Sequence, residues 1–185
     1  TDGDEVSELQ LQRLIGQGRD PVTRQALGSP YRKYPTVTER IEHRTLRLDA
    51  DLPVTERADA VATIAAEESA RGVRKAVAGF DFTFSIPKSA SVLWAVADAG
   101  TQSLIADAHH AAVAEMVAFI EREVAATRVG AAGRNGAVAQ ADVSGVIATT
   151  FDHYDSRAGD PHLHTHVVIS NKVQTLPDDG GKWLT

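Results

Sequence analysis

The stretch Pro161-His162-Leu163-His164-Thr165-His166-Val167-Val168-Ile169-Ser170 decides how this chain is read, because it carries a strand pattern and a ligand pattern at once. Its aliphatic, β-branched end reads as a strand. Period 2 then sets His162, His164 and His166 on one face, with Leu163, Thr165 and Val167 on the other. Three of the seven histidines of the chain thus share a face. Same-face neighbours on a strand lie about 7 Å apart, a gap that two imidazole nitrogens can close around one cation. A third nitrogen from an adjacent antiparallel strand would complete a three-nitrogen set with open positions, and His153 stands upstream beside a second predicted strand. A site of that kind activates a bound group rather than bracing a fold.

Composition limits what surrounds this cluster. The 185 residues, 43% hydrophobic and 24% charged, suit one ordinary globular domain with a sizeable core. Cysteine is absent, which removes disulfides, thiolate ligands and a cysteine nucleophile. No continuous run of about 18 apolar residues is present, and Thr1-Asp2-Gly3-Asp4-Glu5 is unlike a signal peptide, so a cytoplasmic protein without membrane attachment is expected. A net charge of −6 argues against bulk electrostatic attachment to nucleic acid and makes any DNA contact local.

Outward from the histidines, Val143 to Phe151 reads as a strand joined to the one from Leu163 to Val173 through Asp155 to Pro161, which brings His153 near His164. Phe80, Phe82, Phe84 and Ile86 alternate with Asp81, Thr83 and Ser85 in a half-buried strand ended by Pro87, with Asp81 directed away from the aromatic face. Helical spacing follows through Val92, Leu93 and Val96, then through Leu104, Ile105, Ala108, Ala112, Met116, Ile120 and Val124, and both helices should pack on a sheet. Trp94 is expected in the core, and His109 and His110 read as ordinary helix residues without a role. Gly130 to Gly136 reads as a loop or hairpin turn. Near the start, Ser7 and Gln10 form a capping-box pattern ahead of Leu9, Leu11, Leu14 and Ile15. Ile41 to Leu48 is expected to pair as a strand, and Thr55 to cap a helix carrying Ala58, Val61, Ile64 and Ala65. Trp183 is expected to begin another strand. The mixture, with antiparallel pairing through the histidines, predicts the α+β class.

Two segments together carry a family resemblance. Asp152-His153-Tyr154-Asp155-Ser156-Arg157-Ala158-Gly159-Asp160-Pro161-His162-Leu163-His164-Thr165-His166-Val167-Val168 resembles the three-histidine motif of the relaxase domain of MobF-class conjugative relaxase-helicases, in the HUH endonuclease superfamily. Gly79-Phe80-Asp81-Phe82-Thr83-Phe84-Ser85-Ile86-Pro87-Lys88-Ser89-Ala90-Ser91 is similar to the strand and turn that carry an active-site aspartate in that family. Weaker similarity runs through the Ala108 to Gly130 and Ser7 to Gly18 helices.

The resemblance implies a palm-like antiparallel sheet flanked by helices. It implies nicking of single-stranded DNA at an origin of transfer, in which a tyrosine hydroxyl attacks the scissile phosphate to leave a 5′-phosphotyrosine and a free 3′-hydroxyl. By motif position the metal ligands are His153, His164 and His166, while His162 occupies a slot the family does not reserve for a ligand. Asp81 takes the aspartate role, accepting a hydrogen bond from a ligand imidazole or the tyrosine. The implied cofactor is a divalent metal ion, Mg²⁺ or Mn²⁺ in function, with Zn²⁺, Ni²⁺ or Co²⁺ compatible with the nitrogen donors. Implied partners are origin-of-transfer DNA and other conjugation proteins. In the family the nucleophilic tyrosine precedes the region similar to Ser7 to Gly18. The expected organisation is therefore one relaxase domain over residues 1–185, lacking the N-terminal tyrosine segment and the helicase region.

Charge and position alone nominate Lys88 and Arg157 for DNA phosphate, with Lys172 behind them; an ion pair of Arg157 with Asp155 or Asp160 is the competing use. Two other functions fit parts of the pattern. A non-catalytic, metal-containing single-stranded DNA-binding module needs no tyrosine, and a cupin-like oxygenase would add a carboxylate ligand.

Overall fold

The computed structural model describes residues 5–130 and 138–185. The chain forms two compact units, one of residues up to Pro30 together with Val77–Thr185, the other Tyr31–Ala76.

The larger unit is built on a three-stranded antiparallel sheet in the order β1 (Gly79–Ser85), β5 (Pro161–Ser170), β4 (Ala148–Asp155). The central strand carries both faces of the alternation. Thr83 pairs with His166 and Ser85 with His164 on one side, and His153 pairs with His164 on the other, so these residues share a face. Thr165 pairs with Phe84 and Asp152, and Val167 with Phe82 and Thr150, on the opposite face. The register shifts between His153 and Asp155, an irregularity of the β-bulge kind that lies just past the last histidine pair. Gly79 opens β1 where a Cβ would stand 2.6 Å from the Ile169 carbonyl oxygen, so the close strand contact requires glycine.

Two helices follow β1: α4 (Lys88–Val96) and α5 (Ala99–Phe119), the second extended by a π-helical turn, Ile120–Val124. Asp98 caps α5, accepting from the backbone N–H groups of Gly100 (2.9 Å) and Thr101 (3.0 Å). By length and composition Ala99–Val124 could cross a membrane. Its Val113, however, packs on Val167 and Ile169 of β5, with Phe84, Val117, Ile120, Val146 and Ala148 around them. Burying the Val113, Val167 and Ile169 side chains contributes about 1.5–3 kcal/mol each. Trp94 lies at the margin of this core, not within it. Its ring stacks on Tyr154 at 5.5 Å, because Tyr154 follows His153 and turns to the helix side.

Smaller elements complete this unit. The capping box of Ser7 and Gln10 starts α1 (Glu8–Leu11), which continues as a π turn over Gln12–Gly16. β2 (Ala126–Gly130) and β3 (Val138–Asp142) pair antiparallel, and β6 (Val173–Gln174) pairs with β7 (Trp183–Leu184) after a 3₁₀ turn at Pro177–Asp179. Of the expected Gly130 to Gly136 turn, residues 131–136 lie outside the described residues. The expected strand from Val143 begins only at Ala148; Val143 makes a single bridge to Thr175.

The second unit is a pair of helices, α2 (Val37–Thr45) and α3 (Val54–Ala70). The expected strand at Ile41 to Leu48 is thereby corrected to helix. Thr36 and Glu39 form a second capping box, with the Glu39 carboxylate accepting from the Thr36 N–H at 2.6 Å, and this nucleates α2. Pro53, not Thr55, is the N-cap of α3. Between the helices, Glu68 is buried and its carboxylate accepts from Arg40 (2.7 Å), Arg44 (2.8 Å) and Arg71 (3.1 Å). Those guanidiniums hold its pKa down to about 2.

Candidate metal centre

Alternation on β5 and pairing with β4 converge on one point. His153, His164 and His166 each offer a ring nitrogen, and these three atoms lie within 4.8 Å of one another. The rings sit edge-on or tilted, with centroids 5.1 Å apart for His153 and His164, 4.9 Å for His153 and His166, and 5.3 Å for His164 and His166. Metal–nitrogen bonds near 2.1 Å space tetrahedral ligands about 3.4 Å apart, so small side-chain rotations draw the nitrogens into a bonding set.

Hydrogen bonds from behind fix two of the three tautomers. His164 Nδ1 lies 2.8 Å from the His162 carbonyl oxygen, which can only accept, so Nδ1 carries the proton and Nε2 keeps its lone pair. His166 Nδ1 lies 2.9 and 3.0 Å from the two carboxylate oxygens of Asp81 and donates to them, leaving its Nε2 unprotonated as well. Thr83, beside it, has its hydroxyl 3.4 Å from the same nitrogen. At His164 and His166 this directs Nε2 toward the cluster as the donor atom, and a set of imidazole nitrogens suits a transition metal or another divalent cation. His162 stacks on His164, with centroids 4.6 Å apart and ring planes 25° apart, and it supplies the backbone acceptor that orients its neighbour.

The opposite face of the same strands holds a polar network that the sequence reading passed over. Thr165 donates its hydroxyl proton to Asp152 Oδ1 (2.6 Å), so at 2.8 Å it accepts from His109 Nε2 on α5. His110 Nε2 donates to the other Asp152 oxygen at 2.9 Å. Burial, then the neighbouring His110, holds the His109 pKa below its ordinary value, consistent with a neutral ring. Thr165 stands between His164 and His166, and Asp152 precedes His153, so this network ties the backbones of both ligand strands to α5. The partners are far apart in sequence, and the doublet His109-His110 alone carried no signal of them.

The nominated cations fall in three different environments. Lys88 is exposed, donates to the Pro161 carbonyl oxygen (3.0 Å) and lies 3.5 Å from Asp160. Arg157 is exposed on the loop between β4 and β5 and makes no ion pair among the described residues, so neither Asp155 nor Asp160 engages it. Lys172 is corrected: it is 1% exposed and donates to the Ser29 carbonyl oxygen, which removes it from the DNA-facing set, and burial lowers its pKa.

Known proteins resemble part of this chain in sequence. The multifunctional conjugation protein TraI of Escherichia coli is 38% identical over 114 residues, covering 62% of this chain and 6% of TraI. The TraI of Escherichia coli strain K12 is 36% identical over 107 residues, covering 58% and 6%. The chain thus spans a small part of the length of these curated relatives. A metal-bound structure of the conjugative relaxase TrwC in complex with oriT DNA is 32% identical, with a TM-score of 0.49, covering 60% of this chain and 35% of the chain in that structure. A metal-free TrwC complex with oriT DNA is 33% identical, with a TM-score of 0.48, covering 61% and 36%. The TrwC relaxase family model matches residues 1–185, the whole chain, and with two histidine-bearing strands converging as described the chain belongs to the TrwC relaxase family.

Proposed function

We propose that this chain is the metal-binding part of a conjugative DNA relaxase, which nicks single-stranded DNA at an origin of transfer by tyrosine transesterification. The observation that carries this reading is the convergence of three imidazole nitrogens, two with their protons held on the far side of the ring, in a member of a relaxase family. The similarity to TraI, named a conjugation protein, supports the biological setting.

In this reading His153, His164 and His166 hold the ion. A divalent cation bound there supplies Lewis-acid stabilisation of the charge that develops on the scissile phosphate. Three neutral ligands leave the full positive charge of the ion undiminished, which a carboxylate cage would not do. Asp81 keeps the His166 ring turned inward and raises its basicity through the Nδ1–H bond. Lys88 and Arg157 hold DNA phosphate on the loop side, Lys88 by exchanging its 3.5 Å contact with Asp160 for a phosphate oxygen. Mg²⁺ or Mn²⁺ is the working ion, while Zn²⁺, Ni²⁺ or Co²⁺ is the ion that nitrogen donors retain through purification.

The nucleophile is a tyrosine from outside residues 1–185. Tyr154 neighbours a ligand, but its ring is stacked on Trp94 on the helix side of the sheet. That same observation favours a second reading, a metal-containing single-stranded DNA-binding module without catalysis. Incubating the full-length protein with an origin-of-transfer oligonucleotide and Mg²⁺ or Mn²⁺ separates the two. Protein-linked DNA that EDTA abolishes is expected; binding without strand cleavage supports the module, and no affinity for the oligonucleotide sinks both.

A further inference from the structure

We propose that Arg32 and Arg74, whose guanidiniums flank the Tyr34 ring in the helical unit, form with Lys33 and Lys75, their neighbours in sequence, a binding site for the phosphate backbone of single-stranded DNA, built from residues other than those of the histidine centre. The proposal rests on the reading of this chain as one that acts on single-stranded DNA.

The guanidinium of Arg32 lies 5.1 Å from the Tyr34 ring centroid and that of Arg74 lies 5.0 Å from it, both within the cation–π range of about 6 Å. The two arginines come from opposite ends of the unit, one before α2 and one after α3, and each has a lysine beside it in sequence. All four cationic residues are exposed, and Tyr34 is half-buried.

Other arginines of the same unit are spent differently. Arg40, Arg44 and Arg71 close on Glu68, and Arg44 also pairs with Glu67 at 2.7 Å. Arg32, Lys33, Arg74 and Lys75 make no ion pair with a carboxylate among the described residues. In a chain of net charge −6 this is not the result of a general excess of cations. Two guanidiniums over one ring repel each other, and the ring face offsets only part of that repulsion. An anion from outside removes the rest.

Guanidinium groups match phosphate in a two-point fork, the lysines add point charge, and the Tyr34 ring holds the two guanidiniums in one place. A flexible polyanion with phosphates at regular spacing can engage the four cations together.

The test uses the full-length protein and a fluorescent single-stranded oligonucleotide, with affinity followed across a salt series. In the double variant Arg32→Ala, Arg74→Ala, affinity falls roughly tenfold and the slope of log affinity against log salt shrinks by about 1.4, the value for two lost phosphate contacts on a single strand. Metal content stays that of the unsubstituted protein. Lys33→Glu with Lys75→Glu, which leaves the arginine–tyrosine packing in place, weakens binding in the same direction and guards against a local folding defect. Unchanged affinity and slope in both double variants overturns this site alone and leaves the relaxase reading standing. If the unsubstituted protein binds no single-stranded DNA, both fall. Binding to phosphatidylserine vesicles that disappears in the variants while DNA binding persists overturns the site in favour of a membrane surface.

Discussion

Two clusters in this molecule draw like groups together, and they differ in what stands at the centre. In the helical unit three guanidiniums close on one buried carboxylate, Glu68, so the counter-charge belongs to the fold itself. In the sheet unit three imidazoles close on one another, with Asp81 behind one of them instead of between them. A cluster with its own counter-ion braces a pair of helices. A cluster of lone pairs without one is a receptor for a cation from outside, and such a set of neutral bases is stable in the folded chain because Nδ1 protons are directed away from the centre at His164 and His166.

The largest effect that sharpens this difference is expected from His164→Ala. Removing the one buried imidazole of the three should lower metal affinity by more than about 100-fold, beyond the range for an outer partner; elemental analysis and calorimetric titration with Mn²⁺ check it. Full retention of metal would break the comparison outright. Asp81→Ala leaves the three ligands in place and frees the His166 ring, with an expected loss of about 10- to 100-fold in affinity by the same titration.

Thr165→Val probes the reverse face. It leaves Asp152 and His109 without a buried partner, costing about 1–3 kcal/mol of stability in thermal or denaturant melts. Metal affinity should fall less than in Asp81→Ala, because the ligand strands lose a tie to α5 but no donor. The smallest effect at ordinary pH belongs to Glu68. Its pKa drops from an ordinary 4.5 to about 2 on folding, so its contribution is complete above about pH 4.5 and disappears as pH falls through 2. Acid melts followed by far-ultraviolet circular dichroism should show that loss in the unsubstituted protein, and Glu68→Gln should flatten it.

Period-2 patterns were the most readable part of the sequence. Phe80, Phe82 and Phe84 alternate against Asp81 and Thr83, and His164 and His166 against Thr165, and each pattern emerges as a strand with the expected residues sharing a face. The capping box of Ser7 and Gln10 was equally local. The segment Ile41 to Leu48 misled because its aliphatic residues suit a strand, while the Thr36 and Glu39 signal for a helix lies upstream of it. Strands β2 and β3 are short and mostly small or polar, with no apolar alternation to reveal them. The network of His109, His110, Asp152 and Thr165 was out of reach for a different reason: the two bonds from α5 join residues brought together only by tertiary packing, and only the Asp152 to Thr165 bond lies within the paired strands. The burial of Lys172 against Ser29 is of the same kind.

The irregularity between His153 and Asp155 has a consequence for how this protein can vary. Pairing is regular up to His153 and His164 and relaxes immediately afterwards, where a short turn closes through Ser156 and Asp160. Extra or missing residues in that turn are absorbed as slack beyond the last histidine pair, so homologous sequences can differ in length and charge there while the imidazoles keep their orientation. Evolution can thus retune the rim around Arg157 without having to rebuild the centre.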